Sequence, residues 1–283
     1  MLAPGERGVV FHADNLDVLA CVETESVDLV YVDPPFNTGK VQRRVRLRTR
    51  RDATGDRTGF GGRRYKTEVL GASAFDDRFD DYLAFLEPRI REAHRVLKPT
   101  GSFYFHIDYR EAHYCKVLID TVFGREQFLN EIVWAYDYGG RPKNRWPPKH
   151  DDILFYAKDR KHYFFDTDGI DRIPYMAPGL VGPEKAARGK LPTDTWWHTI
   201  VSPTGKEKLG YPTQKPLGIL RRIVRASCPR DGVVLDFFAG SGTAGAAALA
   251  EGRRFVLADS HRDAIAVMRR RFADEPRVRF VRV

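Results

Sequence analysis

Few cysteines, few methionines and no long apolar run set the first bounds on this chain. Cys21, Cys115 and Cys228 are scattered, odd in number and never spaced C-x-x-C, so they indicate neither a disulfide framework nor a zinc site. The eight histidines show no H-x-x-x-H or mixed His/Cys spacing, and no metal is expected. Asp76, Asp77, Asp80 and Asp81 flank the start of a helix, where carboxylates suit the helix dipole better than a metal ion. No stretch approaches the roughly eighteen apolar residues of a membrane span, so no membrane association is expected. Met1-Leu2-Ala3-Pro4-Gly5-Glu6-Arg7 lacks the basic-then-apolar order of a signal peptide, and a cytoplasmic location follows as an expectation.

What the chain has in quantity is positive charge, and that charge is unevenly placed. The net charge is +9, and Lys40 to Lys66 alone holds eleven Lys/Arg against Asp52 and Asp56, a local balance of +9. The rest of the 283 residues is therefore neutral overall, and long enough for one α/β domain with a sizeable core. Gly55, Gly59, Gly61 and Gly62 mark the cationic stretch, residues 40–74, as a loop. A cationic loop on a neutral body points to a polyanion, because neutralising phosphates releases counterions; a solvated loop that aids solubility is the alternative.

Strand and helix signals alternate along the chain. Val9–Ala13, Val27–Val32, Ser102–Ile107, Glu131–Tyr136, Asp152–Ala157, Val233–Asp236 and Arg254–Ala258 read as strands. Leu16–Val22, Phe79–Leu97, Glu111–Val122, Leu217–Ser227 and Thr243–Glu251 read as helices. Repeated strand–helix units predict a doubly wound, mostly parallel α/β sheet. The alternation fails over residues 137–210, which hold Trp146, Trp196, Trp197, Lys143 and Arg145 and read as an insertion. Residues 1–136 and 211–283 then form two halves of one domain.

Two strand ends carry the chemistry. Asp236-Phe237-Phe238-Ala239-Gly240-Ser241-Gly242-Thr243 follows a strand and opens a helix, where glycines allow a tight turn and helix amides can face an anionic group. Asp259 closes the next strand and is placed to accept from ribose hydroxyls. Gly240 to Gly245 even fits G-x-G-x-x-G, but only 24 residues follow Asp259, too few for the rest of a dinucleotide domain. The other half of the sheet must come from residues before the turn, so the sheet is permuted. The second end is Asp33-Pro34-Pro35-Phe36, where prolines stop the strand.

The DPPF and FAGSGT stretches together resemble the amino-methyltransferases of DNA, and DPPF before the glycine turn resembles their beta class. The resemblance spans most of the chain and implies a permuted, Rossmann-like methyltransferase fold with its target-recognition region at 137–210. It implies S-adenosylmethionine as cofactor, with Asp14 and Asn15 near the adenine and Thr213-Gln214-Lys215-Pro216 beside the glycine turn, Lys215 toward the methionine carboxylate. Phe36 stands where most members have Tyr, and Asp259 where many have Glu; stacking and ribose acceptance survive both exchanges.

The chemistry accounts for the residue types. An aromatic amino group is a poor nucleophile because its lone pair is delocalised into the ring. If Asp33 accepts one N–H and the Pro34 carbonyl the other, the nitrogen can pyramidalise toward the methyl group. Pro34 and Pro35 stiffen that backbone without competing amides, and Phe36 can stack on a base flipped out of the duplex. The expected partner is double-stranded DNA, touched by Arg43, Arg44, Arg46, Arg48, Arg50 and Arg51 in the basic stretch and by Lys143 and Arg145. Adenine N6 is favoured over cytosine N4, since resembling cytosine enzymes more often carry Ser at position 33. Cys228-Pro229 reverses the Pro-Cys order of a cytosine-C5 nucleophile. A DNA-binding protein switched by its cofactor, and a methyltransferase of RNA or of protein glutamine, are the rival readings. A homodimer, a cognate restriction enzyme and association with a bacterial nucleoid complete the expectations.

Overall fold

The computed structural model describes every residue except Met1, Asp56, 59–61 and Pro203, and leaves out the side chains of 40–49, 57, 67 and 69–76. In chain order the elements are β1 (Gly8–His12), α1 (Asn15–Ala20), β2 (Val27–Val32), β3 (Lys40–Arg51), β4 (Arg57–Thr58), β5 (Arg64–Asp77) and α2 (Tyr82–Val96). There follow β6 (Leu97–Asp108), α3 (Ala112–Phe123), β7 (Phe128–Ala135), β8 (His150–Ala157), α4 (Pro183–Arg188) and β9 (Thr195–Trp197). The chain closes with α5 (Leu217–Ser227), β10 (Val233–Asp236), α6 (Thr243–Ala250), β11 (Arg254–Asp259), α7 (Arg262–Arg271) and β12 (Val278–Arg282). They divide into one unit of Met1–Pro34 with Leu83–Val283, and another of Pro35–Tyr82.

The larger unit is built on a nine-stranded sheet in the order β12-β1-β11-β10-β2-β6-β8-β7-β9. All neighbours are parallel except at β8, which runs against both β6 and β7. Its central strands are buried on both faces, as a doubly covered parallel sheet requires: Val27 to Val32 and Val233 to Asp236 are buried throughout. Helix α6 is TAGAAALA because it must lie close to the sheet. A Cβ at Gly245 would come within 2.8 Å of Leu257 Cδ1 and would force the packed side chains of the sheet to shift. Helix α5 shows the opposite pattern, with Ile219, Leu220, Ile223 and Val224 buried and Arg221 and Arg225 turned outward to Glu251.

The chain leaves β10 toward β11 on one side and leaves β2 toward β6 on the other. The order of the sheet therefore switches between β10 and β2, and open α/β sheets bind ligands at the carboxyl ends of strands at such a point. The permuted, mostly parallel sheet agrees with expectation, and α5 and β10 occupy their expected residues. The 24 residues after Asp259 hold more than expected: α7 and the edge strand β12. Their short, arginine-rich pattern hides a strand that, among the described residues, pairs with β1 alone.

The smaller unit corrects the loop expected over 40–74. Its backbone forms a three-stranded antiparallel sheet, β3-β5-β4, with Lys40 opposite Asp77 and Arg51 opposite Tyr65. Arginine alternates with Val45, Leu47 and Thr49, a period-two pattern that outweighs the charge and the nearby glycines. Asp77 also departs from the helix-start reading. It closes β5 and accepts from the amides of Asn37 (2.9 Å) and Thr38 (3.0 Å).

A buried carboxylate on β8 gives the larger unit a pH dependence. Burial raises Asp152 from the usual carboxylate range to about 6, against a weaker pull from His150; Glu131 and Asp151 push the same way as burial. A raised carboxyl favours the folded state while protonated, and that advantage is lost as pH climbs from about 4 through about 6. Unfolding free energy should fall by roughly 2 kcal/mol over that interval from this group. Asp152→Asn should flatten the fall in urea titrations at several pH values; an unchanged slope would show that Asp152 does not titrate there.

Candidate active site

The end of β2 delivers Asp33, and the end of β10 delivers the turn from Asp236 to Gly242. Leu29 pairs with Val234 and Val30 with Leu235, so the two ends emerge side by side. Lys215, 182 residues from Asp33 in the chain, places its ammonium 2.5 Å from Asp33 Oδ2. The other oxygen, Asp33 Oδ1, is buried and has no hydrogen-bond partner among the described residues. A buried acceptor left unpaired costs about 1–3 kcal/mol, so a donor that filled it would recover that cost.

The turn is held by its own backbone. Gly240 (φ +49°) and Gly242 (φ +74°) adopt left-handed conformations, and a Cβ at Gly240 would sit 3.0 Å from the Tyr211 ring. Asp259 ties the turn to β11: Oδ2 accepts from the Gly240 amide and Oδ1 from the His261 amide, both at 2.8 Å. Asp236 accepts from the Phe238 amide at 3.0 Å. Burial pushes both carboxyls up, Asp236 well above the usual range with Asp33 and Asp259 adding to it, while the amides of His261 and Gly240 oppose the rise at Asp259. Asp33 and Asp259 are both near enough to Asp236 to raise it, and Lys215 near enough to oppose them.

Several of the other candidates in the larger unit are tied to the turn or to the segment before α5. Asp14 caps α1 through the Leu16 amide, and Asn15 donates to the Phe237 carbonyl (3.2 Å) while accepting from Arg89 (2.8 Å). Gln214 bonds to Glu207 and Leu209, fixing the segment before α5, and Thr243 donates to the Lys215 carbonyl at 3.3 Å. Pro216 caps α5, and Thr213 is exposed. Ser241 faces the Thr243 hydroxyl, while its carbonyl accepts from Arg271. Phe237 and Ala239 are buried, and Phe238 packs on Phe85. Asp33 and Pro34 end the larger unit; Pro35 and Phe36 begin the smaller one, where Tyr82 donates to the Pro35 carbonyl at 2.5 Å. Arg50 and Arg51 are exposed, and Arg50 pairs with Glu68. Arg43, Arg44, Arg46 and Arg48 lie on β3, their side chains outside the described residues.

Sequence reasoning missed a buried polar chain behind Asp33. Tyr31, two residues before Asp33 on β2, meets His106 Nδ1 at 2.7 Å; His106 Nε2 lies 3.2 Å from Asp151, which also accepts from Tyr136 at 3.0 Å. His106 is fully buried. Burial would raise Asp151, but His106 and Lys215 outweigh it and hold the carboxyl below its ordinary value. Burial and the charges of Asp33, Asp236 and Asp151 hold the Tyr31 phenol protonated. Only the run of alternate residues toward the ends of β2, β6 and β8 hints at this chain.

The family model for N6/N4 DNA methylases matches residues 27–270, and the chain belongs to that family. It is similar to DNA adenine methyltransferase YhdJ of Escherichia coli (strain K12), 31% identical over 264 residues that cover 89% of this chain and 78% of that protein. Type II methyltransferase M.HpaI of Haemophilus parainfluenzae is 29% identical over 82% of this chain and 63% of its own. Among solved structures, the cytosine-N4-specific PvuII DNA methyltransferase matches with TM-score 0.62 at 18% identity, covering 95% of this chain and 88% of that one. The M1.HpyAVI–SAM complex matches with TM-score 0.58 at 17% identity, covering 94% and 98%. At those identities the two structures bear on the fold alone.

The Lys215–Asp33 pair is almost enclosed, with side chains 11% and 15% exposed. Removing one partner of such a pair strands a charge. Lys215→Met should cost about 2–4 kcal/mol in denaturant unfolding, and adding Asp33→Asn should restore most of it. Equal stability of wild type and Lys215→Met would contradict the pairing.

Proposed function

We propose that this chain transfers a methyl group from S-adenosylmethionine to the exocyclic N6 of an adenine flipped out of double-stranded DNA. The observation that carries the reading is Asp33, with Oδ2 held by Lys215 and Oδ1 buried and open. Asp at position 33 and the likeness to an adenine methyltransferase favour adenine over cytosine N4.

The residues present suit the cofactor. The left-handed Gly240 and Gly242 bend the turn tightly where a Cβ would press on Tyr211 and Met268, and Asp259, Asp14 and Asn15 line the ends of adjoining strands. The residues that would hold it are Asp14, Asn15, Thr213 to Pro216, the Asp236–Thr243 turn and Asp259. The ammonium of Lys215 carries three donors, so it can keep Asp33 while meeting a carboxylate. S-adenosylmethionine supplies a methyl group already activated on a positive sulfur.

The chain then has to prepare the nucleophile. Asp33 Oδ1 accepts one N–H of the amino group and the Pro34 carbonyl the other, which draws the lone pair out of the ring and aims it at the methyl carbon. As the N–C bond forms and the C–S bond breaks, Asp33 Oδ1 accepts the proton that leaves the nitrogen. Lys215 fixes which oxygen is free. Pro34 and Pro35 supply a stiff backbone without amide donors, and Phe36 stacks on the extruded base. Arg43, Arg44, Arg46, Arg48, Arg50, Arg51, Lys143 and Arg145 meet phosphates. The protein works where bacterial DNA lies, in the cytoplasm with the nucleoid; a homodimer and a cognate restriction enzyme are its proposed further partners.

Asp33→Ala should keep cofactor affinity by calorimetry and lose transfer of labelled methyl to DNA. The lost charged hydrogen bond alone is worth about 1.5–3 kcal/mol, roughly ten- to over a hundredfold in rate. Asp33→Asn should lose less, because its carbonyl still accepts. Gly240→Val should do the reverse of Asp33→Ala at the binding step, losing cofactor affinity in a folded protein. Transfer by Asp33→Ala at the wild-type rate would remove Asp33 from the chemistry. Mapping modified bases in DNA from cells expressing the protein should return N6-methyladenine in one sequence context; N4-methylcytosine would overturn the choice of base alone.

A further inference from the structure

The loop between β7 and β8, residues 136–149, leaves the same edge of the sheet as Asp33. Strand β6 runs parallel to β2; at its carboxyl end Asp108 pairs with Asp151 at the start of β8, and His150 pairs with Ala135 at the end of β7. The loop therefore emerges at the carboxyl ends of the strands, where the candidate active site lies. Within it Trp146 is 94% exposed.

A tryptophan held in water has an apolar face with no partner, and this one is presented rather than loose. Lys149 donates to the carbonyls of Tyr138, Gly139 and Gly140 at 2.7, 2.8 and 3.1 Å, which clips the two ends of the loop together. Pro147 and Pro148 follow Trp146 directly and restrict its backbone to extended conformations. Arg141 pairs with Asp137, whereas Lys143 and Arg145 are exposed and form no ion pair among the described residues. An apolar ring flanked by unpaired cations matches a duplex, with charge for the phosphates and a flat face for the base stack.

We propose that Trp146 enters the base stack of duplex DNA as the target base leaves it, filling the gap while Lys143 and Arg145 hold the adjacent phosphates. The proposal rests on the reading of the protein as a DNA methyltransferase that flips its base. Extruding a base from an intact pair costs a few kcal/mol of stacking and pairing, and an inserted apolar wedge offsets it. A wedge matters only when a pair has to be broken, so its loss should be repaired by DNA in which the target is already unpaired.

The test compares methylation of two duplexes carrying the mapped site, one fully paired and one with an abasic position opposite the target. Trp146→Ala should lower kcat/KM on the paired duplex at least about tenfold and stay within about twofold of wild type on the abasic duplex. Trp146→Phe should fall between them on the paired duplex, and 2-aminopurine at the target should brighten less with Trp146→Ala than with wild type. Equal losses on both duplexes, no loss on either, or a repairable defect in Trp197→Ala instead would overturn the proposal. Failure of the wild type on both duplexes would strike the methyltransferase reading itself and the wedge with it.

Discussion

Two ladder contacts, Leu29 with Val234 and Val30 with Leu235, hold the carboxyl ends of β2 and β10 side by side. Everything at the edge follows from that pairing. It sets an acidic residue from the start of the chain beside a glycine turn from its end, and leaves a crevice because the connections diverge on either side. Parallel strands cannot pair through a short turn, so the intervening chain must return over a long path. The smaller unit, α2 and the 137–210 region occupy that path, and Lys215 arrives at its end to meet Asp33.

The electrostatics of the edge are uneven in a useful way. Asp236 feels Asp33, Asp259 and Lys215, and burial pushes Asp236 and Asp259 up. Such a site favours a ligand that brings positive charge, as a sulfonium donor does. Asp33 is the carboxylate with its own cation, Lys215 on Oδ2, and it presents a bare Oδ1. The chain Tyr31–His106–Asp151–Tyr136 lies behind it, spanning β2, β6, β8 and the end of β7, and stiffens the strand that carries it.

Much of this could be read from the residues, and what could not has a physical reason. Val233–Asp236, its glycine turn and α6 are local: β-branched residues, then left-handed glycines, then alanines at helix spacing, all contiguous. The proline stop at Asp33 is equally local. The hairpin over 40–77 is not, because its pairing joins residues far apart, and the arginines that alternate along β3 read as solvated charge. Edge strand β12 is short and charged for the same reason. At the site, the composition of each segment announced a role, but the 2.5 Å contact of Lys215 with Asp33 and the burial of His106 come from folding alone. No periodicity encodes a contact across 182 residues.

We take Asp33 Oδ1 to receive the amino group of the base. A crystal structure of the protein with a non-reactive cofactor analogue and a duplex carrying the mapped site tests it most directly. The target adenine should lie outside the helix, with N6 within hydrogen-bond distance of Asp33 Oδ1 and Lys215 still on Oδ2. An amino nitrogen positioned away from Asp33, with Oδ1 still unpartnered, would contradict the account.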